Sequence, residues 1–361
     1  MDAKPFQNHL EHNIIPFWNV MEDTENGGFY GYADSNGQPD KASHAYDFLA
    51  SHFYDSRYGG VFWSVHADGT PDDTTKHTYN QAFAIYALAV YYQVSGKKEA
   101  LTLAYSIYQI IENKCRDAEG YFEAFSRDFS PVSNKKLSEN GVMADRTMNT
   151  LLHVLEAYTK LYRADEFFAV GDSIRNILRI FKFKVYDPEN EICQVFFDKS
   201  YHSLIKPESY GHDIEASWLI DRACQVLKDD AYYSEMLPVI EQLADGAYKH
   251  GIDPENHAMN NECENGNINA KKVWWVQVEA VTGFFNAYQN QPERKEYLEM
   301  SEQVWKYIQN YVVDKKTSEW IEDISPDNNI KPNQALAHPW KCPYHNGRMC
   351  IEMINRLSNA S

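Results

Sequence analysis

Hydrophobic positions recur along this chain with the three-to-four-residue spacing of amphipathic helices, almost from end to end. One such run, "NQAFAIYALAVYYQVSG", ends at Gly96, and the next, "GKKEALTLAYSIYQIIENK", begins at once. Helices joined by such short loops form antiparallel hairpins. The predicted helices lie at about 5–22, 42–55, 77–95, 97–114, 142–163, 165–180, 212–227, 230–250, 272–290, 292–313 and 342–358. The pattern predicts an all-α fold of helical hairpins.

A short aromatic strand followed by turn residues recurs between the helix pairs. Its six copies are anchored on Phe29, Val61, Tyr121, Ile192, Ala258 and Trp320, with spacings of 32, 60, 71, 66 and 62 residues. Recurrence of this kind indicates a repeat architecture in which each unit buries its apolar face against its neighbours. Six closed helical hairpins with short β-hairpin loops make an (α/α)6 barrel. Because no Pro/Gly/Ser-rich linker divides the chain, we predict one domain over 1–361.

The first spacing is too short by about one helix with its loops. Eleven helices cannot form six pairs, and the shortfall falls at "GQPDKASHAYDF", where a strand-and-turn copy runs straight into an outer-type helix. We infer that one inner helix, about 30 residues with its loops, is missing near Lys41 and Ala42. Either this protein lost that helix, or the sequence in hand omits it.

Charge and motif content exclude several functional classes. With 52 acidic and 34 basic residues, the net charge is −18, so we expect neither nucleic acid nor membrane as a partner. No stretch resembles a signal peptide, and six scattered cysteines without a CxxC pair indicate reduced thiols in the cytoplasm. Without an HExxH motif or a Gly-rich phosphate loop, we predict no metal and no cofactor. We expect a monomer or a weak oligomer.

The first candidate for acid–base chemistry lies in "SYGHDIEASWL". His212 and Glu215 are three residues apart at a helix start, so the carboxylate would orient the imidazole and raise its basicity. The helix dipole alone explains acidic residues at such a position, but it does not explain a histidine. We therefore predict a functional His212.

Three further helices carry candidate polar and aromatic residues. Asn149 and His153 lie four apart on one helix face, although a histidine satisfied by packing is an equal alternative. In "KKVWWVQVEAVTGF", Trp274 precedes Glu279, and at most one of the two adjacent indoles can face a pocket squarely. Tyr79 opens another helix.

The loop "HPWKCPYHNGRMC" at 338–350 combines an indole and an imidazole on a stiff backbone. Trp340 and His345 are flanked by Pro339 and Pro343, which restrict the chain. An aromatic platform beside an imidazole suits a sugar site, because the apolar face of a sugar stacks on an indole. The alternative is an aromatic lead-in to a helix.

Two histidines from distant segments fit one reaction in particular. Removing the C2 hydrogen of an open-chain sugar gives a planar enediolate, and protonation from the opposite face inverts C2. This chemistry requires two acid–base groups with pKa values near neutrality, which histidine provides. Paired carboxylates would instead indicate hydrolysis of a glycosidic bond. The candidate motifs centre on His212 and His345, so we favour epimerisation.

Five motifs together resemble the cellobiose 2-epimerases, within the N-acylglucosamine 2-epimerase superfamily: "GHDIEASWLIDRA", "VWWVQVEAV", "HTYNQAFAIYAL", "MNTLLHVLEAYT" and "PWKCPYHNGRMC". The resemblance runs nearly end to end and implies an (α/α)6 barrel. It also implies cofactor-independent inversion at C2 of the reducing-end residue of β-1,4-linked disaccharides. Expected conversions are cellobiose to glucosyl-mannose and lactose to epilactose.

The resemblance also implies roles for individual residues. His212 and His345 would be the acid–base pair, with Glu215 supporting His212. The substrate would contact further residues: Tyr79, Asn149, His153, Trp274, Glu279 and Trp340. Of these, Asn149 and His153 would contact the reacting end, and Trp274 and Trp340 would stack on the sugar.

One departure from the family pattern coincides with the short first spacing. The family carries an Arg-containing inner helix after the first strand-and-turn element, whereas here "GQPDK" runs directly into "ASHAYDF". That arginine is thought to stabilise the enediolate, and loss of one such donor costs roughly 10²–10³ in rate. Two alternatives stay open: a glycoside hydrolase or lyase with an (α/α)6 fold, and, if the helix is truly absent, a non-catalytic sugar-binding protein.

Overall fold

The computed structural model describes residues 1–21, 45–136, 142–331 and 334–358. Each of the eleven predicted helical runs contains a helix of the described structure. The α-helices are α1 (Lys4–His9), α2 (Ile15–Asn19), α3 (Ala45–Phe48), α4 (Thr78–Ser95), α5 (Lys98–Lys114), α6 (Met148–Asp165), α7 (Phe168–Ile180), α8 (Tyr210–Leu227), α9 (Asp230–Gly246), α10 (Trp274–Asn290), α11 (Lys295–Tyr307) and α12 (Tyr344–Ser358). The predicted gap near residues 41 and 42 lies outside the described residues.

Five-residue π-helical turns extend several of these helices. One joins α1 to α2, and the others follow α3, α7, α9 and α11: Leu10–Ile14, Leu49–Phe53, Phe181–Val185, Ala247–Gly251 and Ile308–Val312. In the four cases after α3, α7, α9 and α11, an extended residue ends the turn and leads the chain into a hairpin.

The strands are two or three residues long, as the predicted hairpin loops require. They are β1 (Lys76–His77), β2 (Ala124–Phe125), β3 (Arg146–Thr147), β4 (Tyr186–Asp187), β5 (Ile192–Cys193), β6 (Phe196–Phe197), β7 (Ser203–Ile205), β8 (Pro207–Glu208), β9 (Glu262–Glu264), β10 (Asn267–Asn269), β11 (Lys272–Val273) and β12 (Asp323–Ile324). Strands β1, β3 and β11 immediately precede α4, α6 and α10 and pair antiparallel with β2, β6 and β12.

These pairings explain why two helices begin later than predicted. The runs expected from about 142 and 272 begin as α6 and α10 at Met148 and Trp274, because the residues just before them are held in strand pairs. At α6 the boundary is also capped: the Thr147 side chain accepts a hydrogen bond from Thr150 N at 3.1 Å.

The predicted strand-and-turn repeat is present in five of its six copies, and the copy at Phe29 lies outside the described residues. In each, an antiparallel bridge closes a hairpin: Tyr54 with Val61, Arg116 with Tyr121, Asp187 with Ile192, Ile252 with Met259, and Val313 with Trp320. Each hairpin contains an aspartate whose Oδ1 accepts a backbone N–H two residues later: Asp55, Asp117, Asp187, Asp253 and Asp314. In each described copy, the anchor residue therefore follows an aspartate turn of the same kind.

Contacts between Cα atoms divide the chain into two compact units, which are described separately. Unit 1 contains the described residues among 1–42, 208–218 and 241–361, and unit 2 those among 43–207 and 219–240. In unit 2, α4 packs against α5 and α6, and α6 packs against α7. In unit 1, α10 packs against α11 and α12. The single domain expected from the sequence stays a prediction.

The apolar core of unit 1 is built around α10. The sequence "WWVQVEAVTGFFNAYQN" is apolar on nearly every face, as expected of a helix surrounded by protein, and almost all of it is buried. Its Gln277 amide bonds both backbone groups of Met259, at 2.9 Å from N and 2.8 Å to O, and so fixes a hairpin to the helix. Gly283 allows α8 to approach, since a Cβ there would lie 2.8 Å from Ile214 O.

Buried cations at the starts of the short strands tie them to the hairpin aspartates. Lys76 pairs with Asp55 at 3.2 Å and Arg146 with Asp117 at 2.7 Å in unit 2. In unit 1, buried Lys272 lies 2.9 Å from the Asp253 carboxylate. Burial acts to raise the pKa of Asp253, but the hydrogen bond from Lys272 outweighs it and holds that pKa below its usual value.

The adjacent lysines 271 and 272 provide a matched test of burial. Lys272→Met would leave the Asp253 carboxylate without its cation, and we expect a loss of about 2–4 kcal/mol in the free energy of unfolding. Lys271 is exposed and pairs with Asp323 at 2.8 Å, so Lys271→Met should cost less than about 1 kcal/mol. Urea unfolding monitored by circular dichroism measures both, and equal losses would contradict this role for Lys272.

Candidate active site

Most of the predicted site residues lie in unit 1, at or just before the first turns of three helices. His212 and Glu215 are on α8, Trp274 and Glu279 on α10, and His345 on α12. Each of these helices has its N-terminus after a strand pair or a tight loop, so the side chains of its first turns are held by the hairpin beside it.

The two predicted acid–base histidines contact the same indole ring. The His212 and His345 ring centroids lie 4.8 Å and 5.6 Å from that of Trp275. The two imidazole centroids are therefore at most the sum of these distances, 10.4 Å, apart. The close approach of α8 depends on Gly211, where a Cβ would lie 2.7 Å from two atoms of the Trp275 ring. Both imidazoles are partly exposed.

The His345 imidazole is oriented by a buried carboxylate. Its Nδ1 lies 2.7 Å from Oε1 of Glu279, which is fully buried, and Oε2 of Glu279 accepts a hydrogen bond of 3.0 Å from Trp218 Nε1. A carboxylate only accepts, so Nδ1 of His345 carries the proton. In the neutral ring, Nε2 is then the nitrogen that can take up a proton.

An arginine connects this carboxylate to the other predicted one. Arg348 Nη2 donates to Glu215 Oε1 at 2.6 Å and to Glu279 Oε1 at 2.8 Å. Burial acts to raise the pKa of Glu279, but the charge of Arg348 and the hydrogen bond from His345 outweigh it and hold that pKa below its usual value. Glu279 is therefore ionised at neutral pH, as an orienting acceptor must be.

His212 and Glu215, which the sequence predicts to be partners, each have a further contact. His212 Nδ1 lies 2.7 Å from the hydroxyl of Ser209, and Glu215 bonds Arg348. Support of His212 by Glu215 stays a prediction. The i, i+3 spacing placed the carboxylate on the correct helix, but the attraction of a buried guanidinium determines where it points.

The two adjacent indoles have different environments. Trp274 is 2% exposed, stands edge-on to His345 with centroids 5.4 Å apart, and has Lys341 Nζ 5.1 Å from its own centroid. Trp275 is the partly exposed indole and contacts both imidazoles. Stacking on a sugar, expected of Trp274, therefore suits Trp275 better. Trp340 is 49% exposed.

The loop that leads to His345 is anchored by a second buried carboxylate, Glu319. Its Oε1 accepts from Lys341 Nζ at 3.1 Å and from Asn346 Nδ2 at 3.3 Å, and its Oε2 accepts from Trp18 Nε1 at 2.7 Å. Glu319 and Lys341 are both essentially buried. The carboxylate therefore ties the residues on both sides of His345 to the core of unit 1.

The remaining predicted residues belong to unit 2. The His153 ring contacts Tyr79 edge-on at 5.1 Å between centroids, and its Nδ1 lies 3.4 Å from the buried Glu156 carboxylate. Asn149 Oδ1 is buried and has no hydrogen-bond partner among the described residues. Tyr79, His153 and Glu156 thus form a contact group on α4 and α6.

One group of side chains could hold a cation. Ligand atoms of Glu215, Glu279 and His345 lie within 4.8 Å of one another. The Arg348 guanidinium already bonds both carboxylates and supplies positive charge there. The absence of an essential metal, expected from the sequence, stays a prediction.

Four residues of this cluster were not chosen from the sequence: Ser209, Trp218, Trp275 and Arg348. Two had a readable signal, since Ser209 precedes His212 by three residues and Arg348 follows His345 by three, both spacings of one helical turn. The choice between the two indoles depended on tertiary packing, which helical spacing does not determine.

The sequence and the fold of this chain match known proteins over almost its whole length. Residues 30–346 match the family model of N-acylglucosamine 2-epimerase (GlcNAc 2-epimerase). The chain is 43% identical to a cellobiose 2-epimerase of Ruminococcus albus over 99% of both chains, and 42% identical to one of Eubacterium cellulosolvens over 96% of both. A crystal structure of a sugar epimerase from a ruminal bacterium superposes with a TM-score of 0.94 at 41% identity, covering 98% of each chain.

These matches identify a carbohydrate epimerase, an isomerase. The chain belongs to the N-acylglucosamine 2-epimerase family. The predicted fold class, an (α/α)6 barrel of helical hairpins, is confirmed by the structural match.

The alignments also bear on the expected missing segment. They run over 393 and 392 positions, more than the 361 residues of this chain. The two relatives therefore have residues at no fewer than about 30 positions where this chain has none, the size inferred from the repeat spacing.

No helix in the described part of the chain is long and apolar enough to span a bilayer.

The anchoring role of Glu319 can be tested by a substitution that keeps its shape but removes its charge. Glu319→Gln would leave the buried Lys341 ammonium without a counter-ion, and we expect a loss of about 3–5 kcal/mol in unfolding free energy. The control is Glu322→Gln, because Glu322 is 41% exposed and pairs with His338 at 3.0 Å, a contact worth less than about 1 kcal/mol. Denaturant titration compares them, and a small loss for Glu319→Gln would refute the anchor.

Proposed function

We propose that this protein inverts C2 of the reducing-end residue of β-1,4-linked disaccharides without a cofactor, converting cellobiose to glucosyl-mannose and lactose to epilactose. The observation that carries the proposal is the shared contact of His212 and His345 with Trp275. The matched relatives are cellobiose 2-epimerases, which supports this substrate class.

The reaction begins from the open-chain sugar. One imidazole, in its neutral form, takes the proton from C2. The electron pair of the C–H bond forms a C1–C2 double bond while the π pair of the carbonyl moves to its oxygen, which gives an enediolate. The other imidazole, as imidazolium, returns a proton to the opposite face of C2. Each ring changes its protonation state once, and exchange with water resets the pair. In the reverse direction the two rings exchange roles.

The contacts of the two rings suit them to this work. Glu279 holds Nδ1 of His345 protonated, so proton transfer is assigned to Nε2. The Ser209 hydroxyl contacts Nδ1 of His212 and can donate or accept there, so it orients this ring without fixing its tautomer. The two rings thus present the same nitrogen to the substrate but have orienting partners of different charge.

The other sequence-predicted residues receive positioning roles in this proposal. Trp275 and Trp340 stack on the sugar rings, and Trp274 packs against the edge of His345. For Tyr79, Asn149 and His153, which belong to unit 2, contact with the substrate stays what the resemblance implied. Glu215 acts through Arg348.

Hydrolysis of the glycosidic bond is supported less well. A glycosidase needs two carboxyl groups flanking that bond, one of them protonated at neutral pH. Here Glu215 and Glu279 are both buried and accept from the same guanidinium nitrogen, and the pKa of Glu279 lies below its usual value. Simple sugar binding is the other alternative and differs only in the absence of C2 exchange.

Incubation with cellobiose in heavy water tests the proposal. Deuterium should enter C2 of the reducing-end residue with the glycosidic bond intact, and glucosyl-mannose should form, both followed by NMR and mass spectrometry. His212→Asn and His345→Asn should each lower C2 exchange at least about 10³-fold, since each removes one acid–base group, while the helical circular dichroism is unchanged.

The contradicting outcomes are distinct. Release of glucose would support hydrolysis, and cellobiose binding without C2 exchange would support a binding protein. Substantial exchange in either histidine variant would remove that residue from the acid–base pair. A wild-type rate well below that of the Ruminococcus albus enzyme is expected if the chain lacks the family's enediolate-stabilising arginine.

Ser209 gives a finer test of how His212 is held. Ser209→Ala removes the partner of Nδ1, and we expect kcat to fall about 3- to 10-fold, the equivalent of one lost hydrogen bond. Ser209→Thr keeps a hydroxyl and serves as the control. If the alanine and threonine variants exchange C2 equally fast, Ser209 does not orient His212.

A further inference from the structure

Arg348 occupies a central position in the cluster. It lies one helical turn after His345 on α12, with a side chain only 4% exposed. Its Nη2 bonds both Glu215 and Glu279, and its Nη1 donates to Tyr344 OH at 2.5 Å. The guanidinium carbon lies 4.9 Å from the centroid of the Trp218 ring.

The arginine balances an excess of buried negative charge. Two carboxylates removed from water cost several kcal/mol each unless they are paired. Arg348 supplies one positive charge to both, so together the three groups carry a formal charge of −1. His345, which shares Oε1 of Glu279 with Arg348, gains and loses its proton beside this net charge.

The same contacts join the helices that carry the two histidines. Glu215 lies on α8 three residues after His212, and Arg348 lies on α12 three residues after His345. A single ion pair of 2.6 Å therefore connects the two histidine-bearing helices. A planar guanidinium holds its donors at fixed angles, so Nη2 bonds both carboxylates while Nη1 bonds Tyr344 OH. A lysine ammonium has one freely rotating nitrogen and cannot keep this geometry.

We propose that Arg348 is a positioning residue that sets both the spacing of the two histidines and the local charge in which His345 ionises. The role in epimerisation rests on the proposed function, but the charge effect on His345 exists with or without activity. It can therefore be measured independently of catalysis.

Other charged groups near His345 have their own partners. Lys341, over the Trp274 ring, pairs with Glu319. Arg356, farther along α12, pairs with Glu352 and donates to the Asn286 and Gln289 side chains. Tyr344 accepts from Arg348, and His212 and His345 both contact Trp275. Substitutions at Arg348 and Glu215 keep the charges of these groups, although Arg348→Met removes the donor to Tyr344.

Charge counting gives opposite signs for different variants. Arg348→Met changes the charge of the three groups from −1 to −2, which favours the imidazolium form of His345. Glu215→Gln changes it to 0, which disfavours that form. The double variant Arg348→Met/Glu215→Gln returns it to −1.

The experiment is an NMR titration of the full-length protein labelled with ¹⁵N-histidine, with the His345 signals assigned by their loss in His345→Gln. The midpoint for His345 should move up by about one pH unit in Arg348→Met, move down by a similar amount in Glu215→Gln, and return close to wild type in the double variant. Arg356→Met removes a guanidinium of the same helix that pairs with Glu352 and lies 6.0 Å from the Trp218 ring centroid, and it should move the midpoint far less than Arg348→Met.

Catalysis provides the second readout. In Arg348→Met, kcat for C2 exchange should fall at least 10-fold with little change in KM, and the pH–rate limb that His345 controls should move to higher pH whichever role the ring has. Arg348→Lys should keep the NMR midpoint near wild type, because the charge is kept, but should lose kcat, because the fork geometry is lost.

The outcomes separate this inference from the proposed function. The charge role would be overturned if the His345 midpoint did not move in Arg348→Met, or if it were the same in Arg348→Met as in the double variant. Full kcat in Arg348→Lys would overturn the spacing role. Should Arg348→Met fail to fold, the downward shift in Glu215→Gln still decides the charge role. If the variants show the predicted His345 midpoints but the wild-type protein does not exchange C2, the charge role of Arg348 is upheld and the proposed function is refuted.

Discussion

The buried carboxylate of Glu279 needs hydrogen-bond donors for both of its oxygens, and the arrangement of the candidate site follows from this requirement. Removed from water, its charge is tolerated only because Arg348, His345 and Trp218 donate to it. Those same donors fix the tautomer of one imidazole and the position of one guanidinium, which in turn holds Glu215 on the neighbouring helix. A single electrostatic demand thus arranges side chains from three helices, and an (α/α)6 fold provides the helix starts at which they lie.

The hairpin repeat solves the related problem of placing those helix starts accurately. In the described copies, an aspartate in the turn accepts a backbone N–H, and in three of them it also pairs with a buried cation at the strand before the next inner helix, as Asp253 does with Lys272. The residue that follows Lys272 by two is Trp274, the first of α10. Because buried ion pairs have little freedom, α4, α6 and α10 each begin at a defined residue, and the side chains of their first turns are held in place.

Much of the fold was predictable because helical periodicity and repeat spacing are local signals. The run ending at Gly96 predicted α4 closely, whereas α6 was placed too early because a strand pair and the Thr147 cap, not hydrophobicity, fix its start. His212 and His345 were chosen on local chemistry, and unit 1 brings both to one indole. The partners of Glu215 and the choice of Trp275 over Trp274 could not be predicted, since both depend on contacts between residues far apart in the chain.

In the proposed reaction, the two imidazoles exchange protons with opposite faces of one sugar carbon, C2. The most direct measurement is a crystal structure of this protein with the open-chain analogue cellobiitol, the reduced form of cellobiose. We expect C2 of the reduced residue to lie between His212 and His345, with Nε2 of each ring within proton-transfer reach from opposite faces. A complex in which C2 contacts only one of the two rings, or in which the alditol binds away from Trp275, would contradict it.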